Sequence, residues 1–188
     1  CKQKTAYEIG VRLVGSEMCI RDRRNIIANH FGDVIFPFSF ALGSVQGMRN
    51  FNYTDIASGA SVHTLDTVVN QTGSEFTPAF SQKVISYSLD ELVRSFGLAS
   101  PTHIKIDVDG GEREIIEGMK QILQGSTIKS VMIEITEVSK DDDHVKEIIN
   151  IFKNAGFKEA LRIDHSGFKN YPLVSDVLFT KNWELTHG

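Results

Sequence analysis

Two aspartates and two glycines form the segment of this 188-residue chain whose chemistry is easiest to interpret. Asp107 and Asp109 close a run of alternating apolar residues, and Gly110 and Gly111 follow them directly before a predicted helix. In an open α/β sheet, ligands bind beyond the carboxyl ends of the strands, where this segment is predicted to lie. A carboxylate there can act as a general base or bind a metal ion. Asp107 is therefore the first candidate for the catalytic residue, and Asp109 is the second.

Both aspartates also have structural interpretations, and the pair has a second chemical one. Asp109 can cap the following helix, as aspartate often does, and Asp107 can hydrogen-bond a neighbouring loop. The run Asp107-Val108-Asp109 also has the DxD spacing with which many glycosyltransferases hold a divalent metal on a sugar nucleotide. A metal-dependent glycosyltransferase and a non-catalytic binding module therefore stay open as functions.

Other polar residues are weaker candidates. Glu134 ends the next predicted strand, where it is expected to orient an acceptor or to form a salt bridge. His63 lies in an irregular region and is expected to be exposed, and His103 begins its strand at the end away from the candidate site. The acidic run 141–143 lacks the spaced ligands and glycine of a calcium loop, so it is interpreted as the charged start of a helix. No metal ligand is assigned.

The elements that would position these residues follow from hydrophobic periodicity. Strands that alternate with helices of about 10 to 15 residues predict an α/β fold with a mainly parallel sheet, and two final strands without a helix between them predict an antiparallel hairpin. Residues 43–82 are rich in Gly, Ser, Thr and Asn and predict a loop with short extended pieces. Pro37 places its strand at an edge or a bulge. The predicted strands are 33–42, 84–87, 103–108, 131–135, 157–163 and 176–180, and the predicted helices are the end of one at 24–30, 89–96, 112–124, and one through 145–152 that ends at Gly156.

The first 23 residues are predicted to be non-native. Reverse translation of 2–9 and 13–22 reproduces a flow-cell primer and a transposon-end adapter used in DNA sequencing, with bases for a sample index between them. Residues 1–23 also lack the apolar run of a signal peptide. The chain is therefore interpreted as an adapter-derived segment, 1–23, followed by a partial domain, 24–188.

Composition excludes several functional classes. Five of the 20 Lys and Arg residues and three of the 24 Asp and Glu residues lie in 1–23, so the remaining chain has a formal charge of -6 rather than -4. An acidic chain gives no support for binding nucleic acid or anionic membranes. Both cysteines, Cys1 and Cys19, lie in the same segment, which excludes a disulfide framework, a cysteine nucleophile and thiolate metal sites from the rest. A cytoplasmic protein is expected, because no apolar stretch approaches the length of a membrane span.

Five segments together resemble the FkbM-type methyltransferases. Residues 103–119 resemble the family signature KIDVEGAE...L.GA, and Ala41-Leu42-Gly43 resembles its ALG strand end. Residues 24–29 resemble a kN...N helix end, 88–92 the segment LDEL, and 131–135 the strand ilvEi. The resemblance implies a Rossmann-like methyltransferase fold and S-adenosylmethionine (SAM) as cofactor, with contacts from Ala41, Leu42 and Asp107. It also implies methyl transfer to a hydroxyl of a small molecule or glycan.

The chain departs from the family pattern in two ways. Asp109 and Gly111 stand where the family has Glu and Ala. The family's glycine-rich cofactor motif and ribose-binding acid precede the position of Arg24, where this chain has the adapter-derived segment. About 50 to 70 residues with the first strands of the sheet are therefore predicted to be absent, and the fragment as given is expected to be inactive.

Overall fold

The computed structural model describes residues 8–11, 17–56, 63–70, 73–108, 110–137, 143–165 and 173–181, with side chains from Arg23 onward. The strands are β1 (Glu8–Val11), β2 (Ile35–Phe38), β3 (Ala41–Leu42), β4 (Gly47–Tyr53), β5 (Thr64–Leu65), β6 (Phe80–Tyr87), β7 (His103–Ile106), β8 (Ser130–Glu137), β9 (Lys158–Asp164) and β10 (Leu173–Thr180). The helices are α1 (Glu17–Ala28), α2 (Leu89–Phe96), α3 (Glu112–Glu117), α4 (Lys120–Gln124) and α5 (Asp143–Asn154). Within these ranges, no helix is both long and apolar enough to cross a membrane.

The second half of the chain forms a four-stranded sheet in the order β7-β8-β10-β9, called here the carboxy-terminal sheet. β7 and β8 run parallel, because helices connect them. β10 runs antiparallel to both β8 and β9, so the predicted terminal hairpin is confirmed. The prediction of a mainly parallel sheet is wrong for the described residues, whose sheets are mixed, because β4 and β10 pair with their neighbours in the antiparallel sense.

One face of the carboxy-terminal sheet carries the main core. Its strands bury alternate residues, such as Ile133 and Ile135 of β8, beneath α5. Phe152 of α5 stacks on Phe179 of β10 with 4.3 Å between the ring centroids. Each fully buried side chain of this size contributes about 1.5–3 kcal/mol relative to an exposed one. The opposite face of β7 exposes His103 and Lys105, and the candidate site lies on that side.

The helix predicted over 112–124 is divided into α3 and α4 at Gly118 and Met119. A Cβ atom on Gly118 would lie 2.1 Å from the carbonyl oxygen of Gly43, so the backbone there passes too close to the end of β3 for a side chain. Asp90 of α2 caps α4, because its two carboxylate oxygens accept from the backbone N–H groups of Gln121 and Ile122 at 2.9 and 3.0 Å. The predicted apolar face is nevertheless confirmed, since all five of its residues are buried: Ile115, Ile116, Met119, Ile122 and Leu123.

Residues 43–82 contribute β4, β5 and the start of β6 to a second sheet, in the order β3-β6-β4-β5, where a loop with short extended pieces was predicted. β4 pairs antiparallel with β6 along all seven of its residues. The core of this second sheet is small, with Ala41, Phe51 and Val84 as the buried apolar members. Buried Asn52 donates to the Thr67 carbonyl and accepts from the Ser81 hydroxyl, both at 2.7 Å. Hydrogen bonds therefore take the place of apolar contacts, and this is why the hydrophobic pattern missed β4.

The amino-terminal elements lie partly in the segment predicted to be adapter-derived. β1 pairs parallel with β2, and α1 begins at Glu17 and ends at Ala28, which confirms a helix end near the predicted position. The strand predicted over 33–42 is two strands, β2 and β3, with a break between them. Pro37 lies in β2, whose sheet has only two strands in the described chain, so the predicted edge position is confirmed.

Candidate active site

The candidate site lies where β7 ends beside the middle of the parallel strand β8, which continues to Glu137, so the prediction that Glu134 ends its strand is wrong. Ile106 of β7 lies opposite Ile133 of β8, so the residues that follow, Asp107 and Glu134, occupy equivalent positions on neighbouring strands. Such strands lie about 4.8 Å apart. The side chain of Asp107 is 48% exposed, and Glu134 is half-buried. The structure therefore brings together two of the three residues predicted to be catalytic.

Lys105 is a member of this site that sequence reasoning missed. Its Nζ lies 2.5 Å from Oδ2 of Asp107, two residues along the same face of β7. The hydrogen bond to Asp107 is the largest cause that raises the pKa of Lys105; burial opposes it, and the charges of Asp107, Asp176 and Glu134 add to it. The partner of Asp107 is thus a lysine rather than the predicted neighbouring loop. A lysine next to an aspartate on an exposed strand gives no distinctive signal in a sequence.

Two further residues reach the site from the terminal hairpin. Asp176 of β10 lies directly opposite Glu134 of β8, and its Oδ2 is 2.9 Å from Nε2 of His165, which follows β9. Side chains directly opposite on antiparallel strands have Cβ atoms about 4.5–5.5 Å apart. The three carboxylates of Asp107, Glu134 and Asp176 therefore form a row across three neighbouring strands. The prediction of a hairpin was correct, but only the register reveals that Asp176 faces Glu134.

The turn after β7 is closed by a buried glutamate. Gly110 adopts a φ of 101°, a conformation that favours glycine. Its N–H donates to Oε1 of Glu112 at 3.1 Å, and Glu112 is 7% exposed. The N-cap of α3 is Gly111. Asp109 itself lies outside the described residues, and its catalytic role stays a prediction.

The histidines singled out in the sequence lie elsewhere. His63 packs in the second sheet, with its ring centroid 4.9 Å from that of Tyr53, and its Nδ1 accepts from the Thr54 N–H at 3.3 Å. His103 lies at the start of β7, with Nδ1 2.6 Å from the Ser130 hydroxyl, which confirms its position away from the candidate site. Asp143 begins α5, which agrees with the predicted charged start of a helix. Residues 141 and 142 lie outside the described residues.

The two residues implied as cofactor contacts on β3 are largely covered. Ala41 is buried with Phe51 and Val84, and Leu42 packs against the main core. The N–H of Gly43 donates to the Tyr87 carbonyl at 3.0 Å. Ala41 is only 2% exposed, so the described chain leaves almost none of it accessible to a ligand. Their roles toward a cofactor stay predictions.

Several of the segments that resemble the FkbM family contact one another at Gly118 rather than at the exposed carboxylates. The Gly43 carbonyl and Cβ of Ser88 would lie 2.1 and 3.1 Å from a Cβ on Gly118, and the Asp90 N–H donates to the Gly118 carbonyl at 3.0 Å. Ser88 caps α2 as predicted, because its hydroxyl accepts from the Glu91 N–H. These motif positions therefore define how β3, α2 and α4 join.

The chemistry available to the site is that of carboxylates beside an ammonium group. Among the described residues, no group of three or more His, Cys, Asp or Glu side chains is arranged to hold a metal ion. Asp107 has an exposed carboxylate that can accept a proton, and Lys105 holds it in place. The arrangement suits proton abstraction from a hydroxyl and hydrogen bonding to other hydroxyls.

Comparison with known proteins identifies relatives of one kind. The sequence-family model of the methyltransferase FkbM domain matches residues 17–159 of this chain. Hexuronic acid methyltransferase AglP of Haloferax volcanii is 30% identical over 101 residues, which are 54% of this chain and 36% of that protein. A crystal structure of methyltransferase FkbM from Methylobacillus flagellatus KT has 11% sequence identity and a TM-score of 0.48, and the match covers 88% of this chain and 36% of that one. The chain thus spans about a third of the length of both relatives.

Proposed function

This chain belongs to the methyltransferase FkbM domain family, and we propose that it transfers a methyl group from SAM to a hydroxyl of a sugar or another small molecule. The observation that supports this proposal most directly is the exposed carboxylate of Asp107, at a strand end where ligands bind in open α/β sheets. The family match does not favour the glycosyltransferase alternative. Asp109, the second aspartate of that DxD pattern, lies outside the described residues.

Methyl transfer is an in-line displacement in which a bond from oxygen to the methyl carbon forms as the carbon–sulfur bond breaks. When bound, SAM supplies the electrophilic methyl group. Asp107 takes the proton of the acceptor hydroxyl as the new bond forms, and Lys105 keeps the carboxylate oriented. Glu134, on the neighbouring strand, hydrogen-bonds a second hydroxyl and so orients the acceptor.

The residues present on β3 and after β7 fit a nucleoside cofactor in part. Asp107 offers acceptor oxygens for hydroxyl groups, and Leu42 is half-buried beside the core. Ala41 fills a small core with its side chain. These are the residues of this chain that would hold SAM, with Asp107 the most accessible. We keep a Rossmann-like fold as part of this proposal.

A glycan is our proposed acceptor class. The relative from Haloferax volcanii is named for methylation of a hexuronic acid, so a hexuronic acid is the first acceptor to test. Three carboxylates and one lysine lie together across the neighbouring strands β7, β8 and β10, which suits the neutral hydroxyl groups of a sugar better than its carboxylate. We expect neither nucleic acid nor a membrane as partner, and a cytoplasmic location.

The test is methyl transfer from radiolabelled SAM to a panel of hexuronic acids and matching neutral hexoses. It is run on the 188-residue chain and on a longer chain, in which residues 24–188 follow whatever the genomic DNA encodes in frame upstream of Arg24. Asp107→Asn is expected to lower turnover about 100-fold or more while SAM affinity changes only a few-fold. Asp143→Asn, which changes a carboxylate on α5 that is 93% exposed, is the control and should retain turnover.

Each result has a defined meaning. Unchanged turnover in Asp107→Asn removes Asp107 from the catalytic residues. Transfer by the longer chain alone supports the prediction that residues encoded upstream of Arg24 hold the cofactor. Metal-dependent transfer of sugar from a nucleotide sugar, without methyl transfer, overturns the proposed function in favour of the glycosyltransferase.

A further inference from the structure

Arg49 of β4 connects the second sheet to the helix that follows the candidate site. Its side chain is only 14% exposed. Nη2 donates to both carboxylate oxygens of Glu114 in α3, at 3.0 and 3.3 Å, and Nε forms an ion pair with Asp66 beside β5. The charged contact to Glu114 and the ion pair to Asp66 therefore tie β4 both to α3 and to the end of β5.

Opposite charges stabilise the contacts of Arg49 with both Glu114 and Asp66. Burial alone would lower the pKa of Arg49, but hydrogen bonds and charge from Asp66 and Glu114 outweigh burial and raise the pKa above its ordinary value. One cation therefore serves two carboxylates. Without it, Glu114 and Asp66 would repel each other across the boundary between the second sheet and α3.

The contact lies where three elements converge on Gly43. A Cβ atom on Gly43 would be 3.1 Å from the Ser86 hydroxyl, 3.3 Å from Nη1 of Arg49 and 3.4 Å from Oε2 of Glu114. Ser86 is fully buried, and its hydroxyl has no hydrogen-bond partner among the described residues. A buried hydroxyl without a partner destabilises the fold. The contacts around it must therefore be strong enough to hold β6 and α3 together beside Gly43.

We propose that Arg49 is a positioning residue, which holds the second sheet at a defined distance from the turn that carries Asp107. Glu114 lies in α3, and α3 begins directly after that turn. An acceptor that contacts the second sheet would then meet Asp107 with its hydroxyl at reacting distance. The connection through Arg49 is independent of the proposed function, whereas its effect on turnover rests on it.

Amide hydrogen exchange tests the connection without any activity. The N–H groups of Ile115 and Gly118 donate to the carbonyls of Gly111 and Glu114. Arg49→Met and Glu114→Gln should each raise exchange at these two amides about tenfold. Asp66→Asn removes the other partner of Arg49 and is the matched control, since it should leave these amides within about twofold of wild type.

Equal exchange at these amides in all three variants and the wild type would overturn the proposal, and so would an equal increase in Asp66→Asn. Urea denaturation identifies any variant that has lost its fold. Glu114→Gln changes a single atom of a half-exposed side chain, so it keeps the test decisive if Arg49→Met does not fold.

Kinetics on the chain that transfers methyl groups test the consequence. Arg49→Met should lower kcat about 100-fold, the usual cost of a 1 Å misplacement, with SAM affinity unchanged, and Arg49→Lys should recover part of kcat. A role in stability alone would leave kcat intact well below the unfolding temperature, and that result would overturn the positioning role. If no form of the protein transfers methyl groups, the proposed function fails, while hydrogen exchange still decides whether Arg49 holds the two parts together.

Discussion

The two four-stranded sheets of this chain are stabilised in different ways. The carboxy-terminal sheet packs a continuous cluster of fully buried side chains against its helices, with Phe152, Ile133 and Val177 among its members. Among the described residues, the buried apolar cluster of the second sheet has only Ala41, Phe51 and Val84, and this sheet depends on polar contacts. Apolar burial is non-directional and tolerates adjustment, whereas hydrogen bonds and ion pairs fix angles. The sheet with the smaller core is thus the one whose geometry depends on individual polar side chains.

The largest effect is expected from the main core. Phe152→Ala removes a fully buried ring stacked on Phe179 and should lower the free energy of unfolding by about 3–5 kcal/mol. Phe51→Ala should cost less, because its small cluster can collapse around the space. Urea denaturation of both variants measures the difference. A larger loss in Phe51→Ala would show that the second sheet, not the carboxy-terminal sheet, holds the fold together.

An intermediate effect is expected where the two regions meet. Gly118→Ala places a Cβ atom 2.1 Å from the Gly43 carbonyl oxygen, so the backbone must shift, at a cost of about 1–3 kcal/mol. Gly47→Ala is the matched control, because nothing lies within 4 Å of its added Cβ atom. Thermal unfolding compares the two. Equal midpoints would mean that β3 and α4 do not depend on this close approach.

The smallest effect is expected on the open face of the carboxy-terminal sheet. Asp107 raises the pKa of Lys105, so this ion pair stabilises the fold below the ordinary lysine pKa of about 10.4 and is lost as the pH rises through the raised value. Because both side chains are about half exposed, Lys105→Met should cost less than about 1 kcal/mol at pH 7. The difference from wild type should vanish above the raised pKa. Urea midpoints measured across that range check it, and a constant difference would contradict the assignment.

Much of the fold was predictable where apolar periodicity is strong. The helix after Ser88, strands β7 and β8, helix α5 and the final hairpin all lie where the pattern placed them. β4 was not predictable, because Arg49 and Asn52, on its two opposite faces, are held by polar partners distant in sequence. The break at Gly118 was also invisible, since its cause is the carbonyl of Gly43, 75 positions earlier in the chain.

The candidate site was predictable in its position but not in its membership. The end of β7 identifies Asp107 from the chain alone, and the parallel pairing of β7 with β8 places Glu134 beside it, although β8 continues to Glu137. Asp176 and His165 depend on the register of the terminal hairpin, which a sequence does not reveal without knowledge of the turn. Glu112 looked like an ordinary helix start, yet its side chain folds back to the Gly110 N–H and becomes buried.

The contact between Gly43 and Gly118 limits how this scaffold can be engineered. A Cβ atom at position 118 would meet the main-chain carbonyl of Gly43, so compensating changes in nearby side chains cannot relieve a substitution there. A library that seeks new acceptors can therefore vary exposed β4 positions such as Met48 and Asn50, while position 118 is kept as glycine. Natural variation at this position should be narrow for the same reason, and an alignment of homologues would test that expectation.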